Sequence, residues 1–414
     1  MNGKPRPGAK PARAHTWTFK SRLRRHAFGW RASRLAIERI NEAVAEIRKL
    51  ARTDPVMAAE GAVVLVERLS PALEHVDSSS GALGAAVNRT IAAVVPFVAT
   101  APADRETHDA WLDRLWTAHE ADEVPYIETL ADYWGDLCAS SDVASAWADR
   151  LLPATRLALG TSRTERPFFH GTSACLSALA ASARFGELLE LLETETIWPY
   201  KRWGVHALVA LGRKADAIRY AEACRGPWTD GHSVDEMCEE ILLSSGLADE
   251  AYRRYGLRAY PAGSYAAVFR AVTKTYPHKA ATDVLDDLVA TTPGSEGKWF
   301  AAAKAAGFLD KAIELARRGT TDPKTLARAA RDFVGLEPEF ALEAGLLALE
   351  GLVRGHGYEI TGADVLTTHV ASVAAAKQLD RVSDVRRRIE QIVRQDGSGA
   401  EFVRQVLGLT RDAP

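Results

Sequence analysis

From Trp30 onward the apolar residues of this chain recur at three- and four-residue steps almost without interruption, and that periodicity excludes most folds. Ile37, Ile40, Val44, Ile47 and Ala51 share one face of a helix. The next helix opens at Asp54-Pro55, with the aspartate as cap and the proline at the first helical position. Asp322-Pro323 repeats that signature, and Thr361 with Asp364 makes a capping box ahead of another apolar run. Near the end Val382, Val385, Ile389 and Ile392 line one face beside Arg386, Arg387 and Arg388. No stretch alternates with the two-residue period of a strand. The spacing predicts an all-α chain of roughly twenty helices joined by short turns.

At 414 residues such a chain is either several bundles or one repeat array, and internal self-similarity discriminates between them. The segments "ARFGELLELLE", "ALGRKADAIRYAEA", "SSGLADEAYRRYG" and "AAGFLDKAIELA" each run helix, glycine, amphipathic helix. In the last three an alanine stands five residues after the glycine: Gly212/Ala217, Gly246/Ala251 and Gly307/Ala312. Glycine lets the chain turn at little steric cost, and the small alanine allows close helix contact. This spacing resembles the second half of a tetratricopeptide repeat, whose next aromatic position is matched by Tyr255 but not by Ala221. The copies lie 26, 34 and 61 residues apart, so one interval has the tetratricopeptide period. The resemblance covers about residues 180–320, while the longer, tryptophan-edged helices of residues 30–160 are similar to HEAT-like hairpins or a bundle. The whole chain also resembles bacterial helical families with no assigned activity. These resemblances imply an α-solenoid of stacked antiparallel helix pairs without a sheet. The expected divisions are a basic, partly disordered arm at 1–29, a HEAT-like or bundle region at 30–165, tetratricopeptide-like repeats at 166–335 and a helical cap at 336–414.

The composition, 47% hydrophobic and 26% charged, is that of a chain that folds over most of its length. No run reaches the ~18 apolar residues of a membrane span, and the basic N-terminus lacks the apolar stretch of a secretory signal. Cys138, Cys175, Cys224 and Cys238 are scattered, which fits a reducing compartment; a cytoplasmic protein is expected, with no membrane role. The net charge of −2 conceals a polarity. Ten Lys and Arg and no acid precede Glu38, which leaves 42 basic against 54 acidic residues for the body. Such an arm binds nucleic acid or an acidic partner, or folds back on its own body.

Several stretches carry the letters of chemistry. In "EHVDSSSGALG" a Ser79/His75/Asp77 triad would need three side chains converging from separate elements, and three partners near one helix end cannot readily face one another. The preferred reading is a turn: His75 near a helix C-terminus, Ser79 or Ser80 capping the next helix, Gly81 easing the bend. "TPGSEGKWF" lacks the glycine spacing and the Ser/Thr of a nucleotide loop; Ser295 as a cap with Trp299 and Phe300 inward explains it. Cys224, His232 and Cys238 lack zinc-ligand pairing and read as ordinary cysteines and a histidine. No catalytic residue, cofactor or metal site is expected. Glu128, Asp132 and Asp136 recur at four-residue steps, an acidic stripe on one helix face. "IWPYKRWGVHAL" gathers Trp198, Tyr200 and Trp203 around Lys201 and Arg202, a mix that suits either an interface or the bracing of a helix hairpin. In the arm, Arg22, Arg24, Arg25 and Trp30 interleave with Trp17, Phe19 and Phe28, as in single-strand nucleic-acid binding. The alternative is an amphipathic segment pinned to the body by its aromatics.

The leading expectation is a non-enzymatic scaffold that binds a protein or peptide on its curved helical surface. Trp198, Tyr200, Lys201, Arg202 and the Glu128/Asp132/Asp136 stripe are its candidate contacts. The alternatives are nucleic-acid association through residues 1–34, and an enzyme whose polar groups converge from distant helices only in three dimensions.

Overall fold

The computed structural model of the protein describes residues 15–160, 167–227, 229–260 and 263–409. Among these residues there are 22 α-helices, short 3-10 segments at Glu128–Tyr133 and Glu296–Trp299, a π-helical turn at Tyr252–Gly256, and no strand. The capping signatures form as read. Asp54 accepts from the Met57 N–H at 2.9 Å and Asp322 from the Thr325 N–H at 2.9 Å. The Asp364 carboxylate accepts from the Thr361 N–H at 2.8 Å. Most consecutive helices pack on each other, and several also touch the next but one: Ser33–Leu50 meets Ala82–Ala99, and Pro323–Phe333 meets Gly362–Gln378.

One turn device recurs at seven places among the described residues, Gly355 and Gly408 among them. Gly212, Gly246 and Gly307 have φ of 75°, 73° and 81°, and the next residue's N–H reaches back five residues to a helix carbonyl at 2.8–3.0 Å. Ala183 (φ 58°) and Asp380 (φ 53°) close the same turn without glycine. Five residues after these five positions comes a buried small or aliphatic side chain: Leu188, Ala217, Ala251, Ala312 and Val385. In the first segment the turning residue is therefore Ala183, and Gly186 lies inside the following Phe185–Leu191 helix.

The chain forms two compact units, Met1–Asp230 and Gly231–Pro414. This division falls inside the expected 166–335 region. The helices flanking 165/166, Ser141–Gly160 and Thr172–Ala181, pack directly together, as do Pro323–Phe333 and Pro338–Val353 around 335/336.

In the N-terminal unit the described part of the arm is structural. Trp17, Phe19, Leu23 and Phe28 are core residues, and Glu46 accepts from the N–H of Thr18 at 2.9 Å and of Phe19 at 3.3 Å. Residues 15–29 thus fold onto the body through their aromatics. Deeper in, Trp134 lies 5.2 Å from Trp116 and 4.9 Å from Trp147, centroid to centroid. Ala82–Ala99 is the one helix among the described residues long and apolar enough to cross a bilayer by composition. It carries Arg89 mid-helix and buries Leu83, Val87, Ile91, Val94 and Val98. In the C-terminal unit the core is aliphatic around Pro338–Val353, and elsewhere Glu239 is buried and accepts hydrogen bonds from Tyr260 (3.0 Å) and Tyr276.

Candidate functional site

The Trp198–Ala210 helix organises the candidate site. Its start is set by Glu195, whose carboxylate accepts from the Thr196 N–H at 2.6 Å and the Ile197 N–H at 2.8 Å, and by Pro199 in the first turn. From that start Trp198, Lys201, Val205 and Leu208 form the inward stripe. Trp198 is 7% and Lys201 9% exposed, so neither is the open surface contact the sequence suggests. Both instead wall a cavity of about 760 Å³, together with Ile197, Pro199, Tyr220 and Cys224.

The cavity's electrostatics are those of burial. The Lys201 ammonium donates to the Leu192 carbonyl at 3.0 Å and lies 4.3 Å from the centroid of the Tyr220 ring. Burial pulls its pKa down, against the pull of Cys224 and Glu195. Burial raises the Cys224 thiol, which donates to the Tyr220 carbonyl at 3.2 Å, so it is not the ionised thiol of a nucleophile. The Tyr220 hydroxyl is buried without a hydrogen-bond partner among the described residues. Every described lining residue comes from 195–229, one hairpin with its flanks rather than distant helices.

A second group of polar residues meets the same helix elsewhere. The Arg202 guanidinium pairs with Asp132 at 2.5 Å, joining two features that are far apart in sequence. Tyr200 is half-buried; burial raises its hydroxyl pKa, as do Glu195, Asp132 and Glu128, with Thr172 opposing. The expected acidic stripe is split. Residues 128–133 wind as a 3-10 helix with about three residues per turn, so four-residue steps do not stay on one face. Asp136 faces a separate recess of about 500 Å³ lined by Ala92, Pro96, Tyr133 and Ser140.

Glu128 stands apart from its neighbours. Its pKa is raised by burial, then by Asp122 and Asp132, while His170 opposes. Among the described residues no cation pairs with it. Asp122 is buried and occupied, accepting from the Ile127 N–H at 2.7 Å and the Tyr126 N–H at 3.3 Å. His119 is buried with its Nε2 3.1 Å from the His170 carbonyl, and burial lowers its pKa. Beside this group Phe168 is 75% exposed, 4.6 Å from the His170 ring. Sequence reading missed Phe168, His170 and Ser177. The Ser177 hydroxyl accepts from the Gly135 N–H at 2.9 Å and donates to the Asp132 carbonyl at 2.9 Å, which seats the acidic segment on the Thr172–Ala181 helix. A Cβ on Gly135 would overlap the Ser177 carbonyl, so only glycine allows that approach. Nothing local in the sequence marks such a long-range clamp.

The other candidates are placed as follows. Arg22 pairs with Glu42 at 2.6 Å and Arg25 approaches Glu74 at 3.8 Å, so both are engaged by the body. Arg24 is exposed, and Trp30 is 66% exposed while its carbonyl accepts from the Asp77 N–H at 2.9 Å. Lys4, Arg6, Lys10 and Arg13 lie outside the described residues. "EHVDSSSGALG" is a turn: the Asp77 carboxylate accepts from the Ser79 N–H at 3.0 Å, and Tyr126 donates to the Val76 carbonyl at 3.2 Å. Gly81 (φ 70°) holds the N-cap position of the following helix, and the Ser80 hydroxyl before it accepts from the Ala82 N–H at 3.4 Å, so of the two serines Ser80 serves the helix start. In "TPGSEGKWF" Trp299 and Phe300 face inward, but Ser295 makes no cap bond; Glu296 takes the Gly294 N–H at 3.2 Å. No protein-family model, no curated protein and no solved structure matches the chain.

Proposed function

We propose that the chain is a non-enzymatic α-solenoid scaffold of the cytoplasm, tetratricopeptide-like in its middle and HEAT-like toward its N-terminus, that binds a basic protein or peptide segment. The repeated glycine-type turns, and helices touching first and second neighbours along the chain, support the solenoid reading. The four free cysteines fit a reducing compartment.

The observation that carries the binding reading is Glu128: an exposed carboxylate beside two others that raise its pKa, with no ion pair among the described residues. An exposed anion crowded by two like charges attracts an incoming Lys or Arg. Phe168, against the ring of the His170 that acts on Glu128, offers an aromatic anchor, and Asp132 is held by Arg202. The test captures partners on the immobilised full chain, identifies them by mass spectrometry, and measures the best one by calorimetry against Glu128→Lys and Phe168→Ala. Each change is expected to weaken that partner by about 10-fold; equal binding by both variants overturns the reading. A second reading has its own observation: Trp30 stands exposed beside Arg24, Arg31 and Arg34, which make no ion pair among the described residues. Capture abolished by nuclease or by Arg31→Glu/Arg34→Glu would favour nucleic acid instead. Point changes are needed because deleting residues 1–34 removes Trp17, Phe19, Leu23 and Phe28 from the core.

A further inference from the structure

The end of the Pro55–Leu73 helix holds a cluster that the scaffold reading does not use. Glu74 caps that helix, His75 follows it, and His26 reaches both from the N-terminal segment. The ligand atoms these three side chains offer lie within 4.8 Å of one another. His26 Nδ1 is 3.5 Å from Glu74 Oε2, close to the ~3.3 Å that separates two ligands on one tetrahedral zinc ion. The His26 and His75 rings lie face to face, 4.7 Å between centroids and 6° from parallel. The position of His26 is built in: its N–H donates to the Pro71 carbonyl at 3.1 Å, its φ is 55°, and the nearby Leu23 and Phe28 are core residues.

We propose that His26, Glu74 and His75 form a binding site for a first-row transition-metal dication, Zn²⁺ or its neighbours Co²⁺, Ni²⁺ and Cu²⁺. Two imidazoles and one carboxylate suit these borderline ions, whereas Ca²⁺ and Mg²⁺ want all-oxygen shells. Three protein ligands leave a fourth position for water. A shared ion must lie in the plane of each imidazole, so binding turns one ring out of the stack. Both His26 and His75 are exposed, which leaves them room to turn. The Arg25 guanidinium, 3.8 Å from Glu74, competes with the metal for the same carboxylate. Once bound, the ion would tie the N-terminal segment to the helix end, with ligands drawn from two stretches that only the fold brings together.

The experiment uses the untagged full chain at neutral pH. Co²⁺ is followed by its visible absorption, and Zn²⁺ by competition with a chromophoric chelator. His75→Gln sits on an exposed side chain, and His26→Asn keeps a residue that tolerates positive φ, so both variants should retain the fold, checked by circular dichroism. One equivalent of metal is expected, weakened at least ~10-fold in each variant, with Arg25→Ala binding more tightly than the parent. Absence of saturable one-equivalent binding, or equal binding by parent and both histidine variants, overturns the site.

Discussion

The two compact units bury opposite kinds of chemistry. The N-terminal unit is aromatic: nine of the ten tryptophans lie in residues 1–230 of the sequence, and Trp111, Trp116, Trp134 and Trp147 are buried. Its buried titratable groups include His108 and His119, both shifted down by burial and so kept neutral. The C-terminal unit is aliphatic and alanine-rich around Pro338–Val353, and its buried polar groups include an acid network, Glu239 with Tyr260 and Tyr276. Burial raises the Glu239 pKa, so this acid too is held toward its neutral form. His108, His119 and Glu239 are thus buried by suppressing charge rather than by pairing it, and the sign of the resulting pH dependence differs between the histidines and the acid.

The sharpest way to break the comparison is to remove one member of each core. Trp134→Ala deletes a fully buried ring with two tryptophan neighbours and is expected to cost about 3–5 kcal/mol in chemical denaturation. Glu239→Ala leaves the Tyr260 and Tyr276 hydroxyls without their acceptor and is expected to cost about 1–3 kcal/mol, with Glu239→Gln costing less. Equal costs would show that the aromatic cluster carries no more of the stability than the acid network.

The pH dependence comes next. His108 and His119 have folded pKa values below the ordinary 6.5, so their contribution is complete above 6.5 and is lost as pH falls through that value toward their folded pKa. Glu239 has a folded pKa above the ordinary 4.5, so its contribution is complete below 4.5 and is lost as pH rises through the folded pKa. Tryptophan fluorescence, which reports mainly on the N-terminal unit, should therefore show denaturation midpoints falling on acidification below 6.5, less so in His119→Gln. His369 in the C-terminal unit is half-buried and lowered by burial and Arg386, which adds a smaller acid sensitivity there. A fluorescence midpoint that is flat with pH would remove the buried histidines from the account.

The smallest effect tests the device the two units share. Ala183 closes a turn that Gly212, Gly246 and Gly307 close elsewhere. An alanine in the left-handed region costs about 1–2 kcal/mol, and glycine's extra freedom in the unfolded chain returns about 0.4–1. Ala183→Gly should thus stabilise by about 0.5–1 kcal/mol and Gly212→Ala destabilise by a similar amount, read from denaturation midpoints. If Ala183→Gly destabilises, these turns are not equivalent.

Much of the local structure was legible in the residues. Asp54, Asp322 and Thr361/Asp364 cap the helices their spacing announces, and Ala217, Ala251 and Ala312 are buried behind their glycines. Ala183 and Asp380 escaped because the backbone conformation, not the glycine, defines the turn. The acidic stripe was misjudged because a 3-10 segment keeps no four-residue face. The arm aromatics were legible as a set, but their burial was decided by the cleft that Glu46 and the neighbouring helices present.

The sequence by itself determined that the chain is helical, where many helices begin and end, and how its hairpins turn. Those properties depend on contacts within a few residues, which periodicity and capping chemistry encode directly. Only the tertiary structure decided that Trp198 and Lys201 face a cavity, that Arg202 pairs with Asp132, that Glu128 has no ion pair among the described residues, and that His26 meets His75. A helix declares its apolar face in its own residues. Which polar group meets which across two helices is set by the packing of segments far apart in the chain, and local spacing carries no record of it.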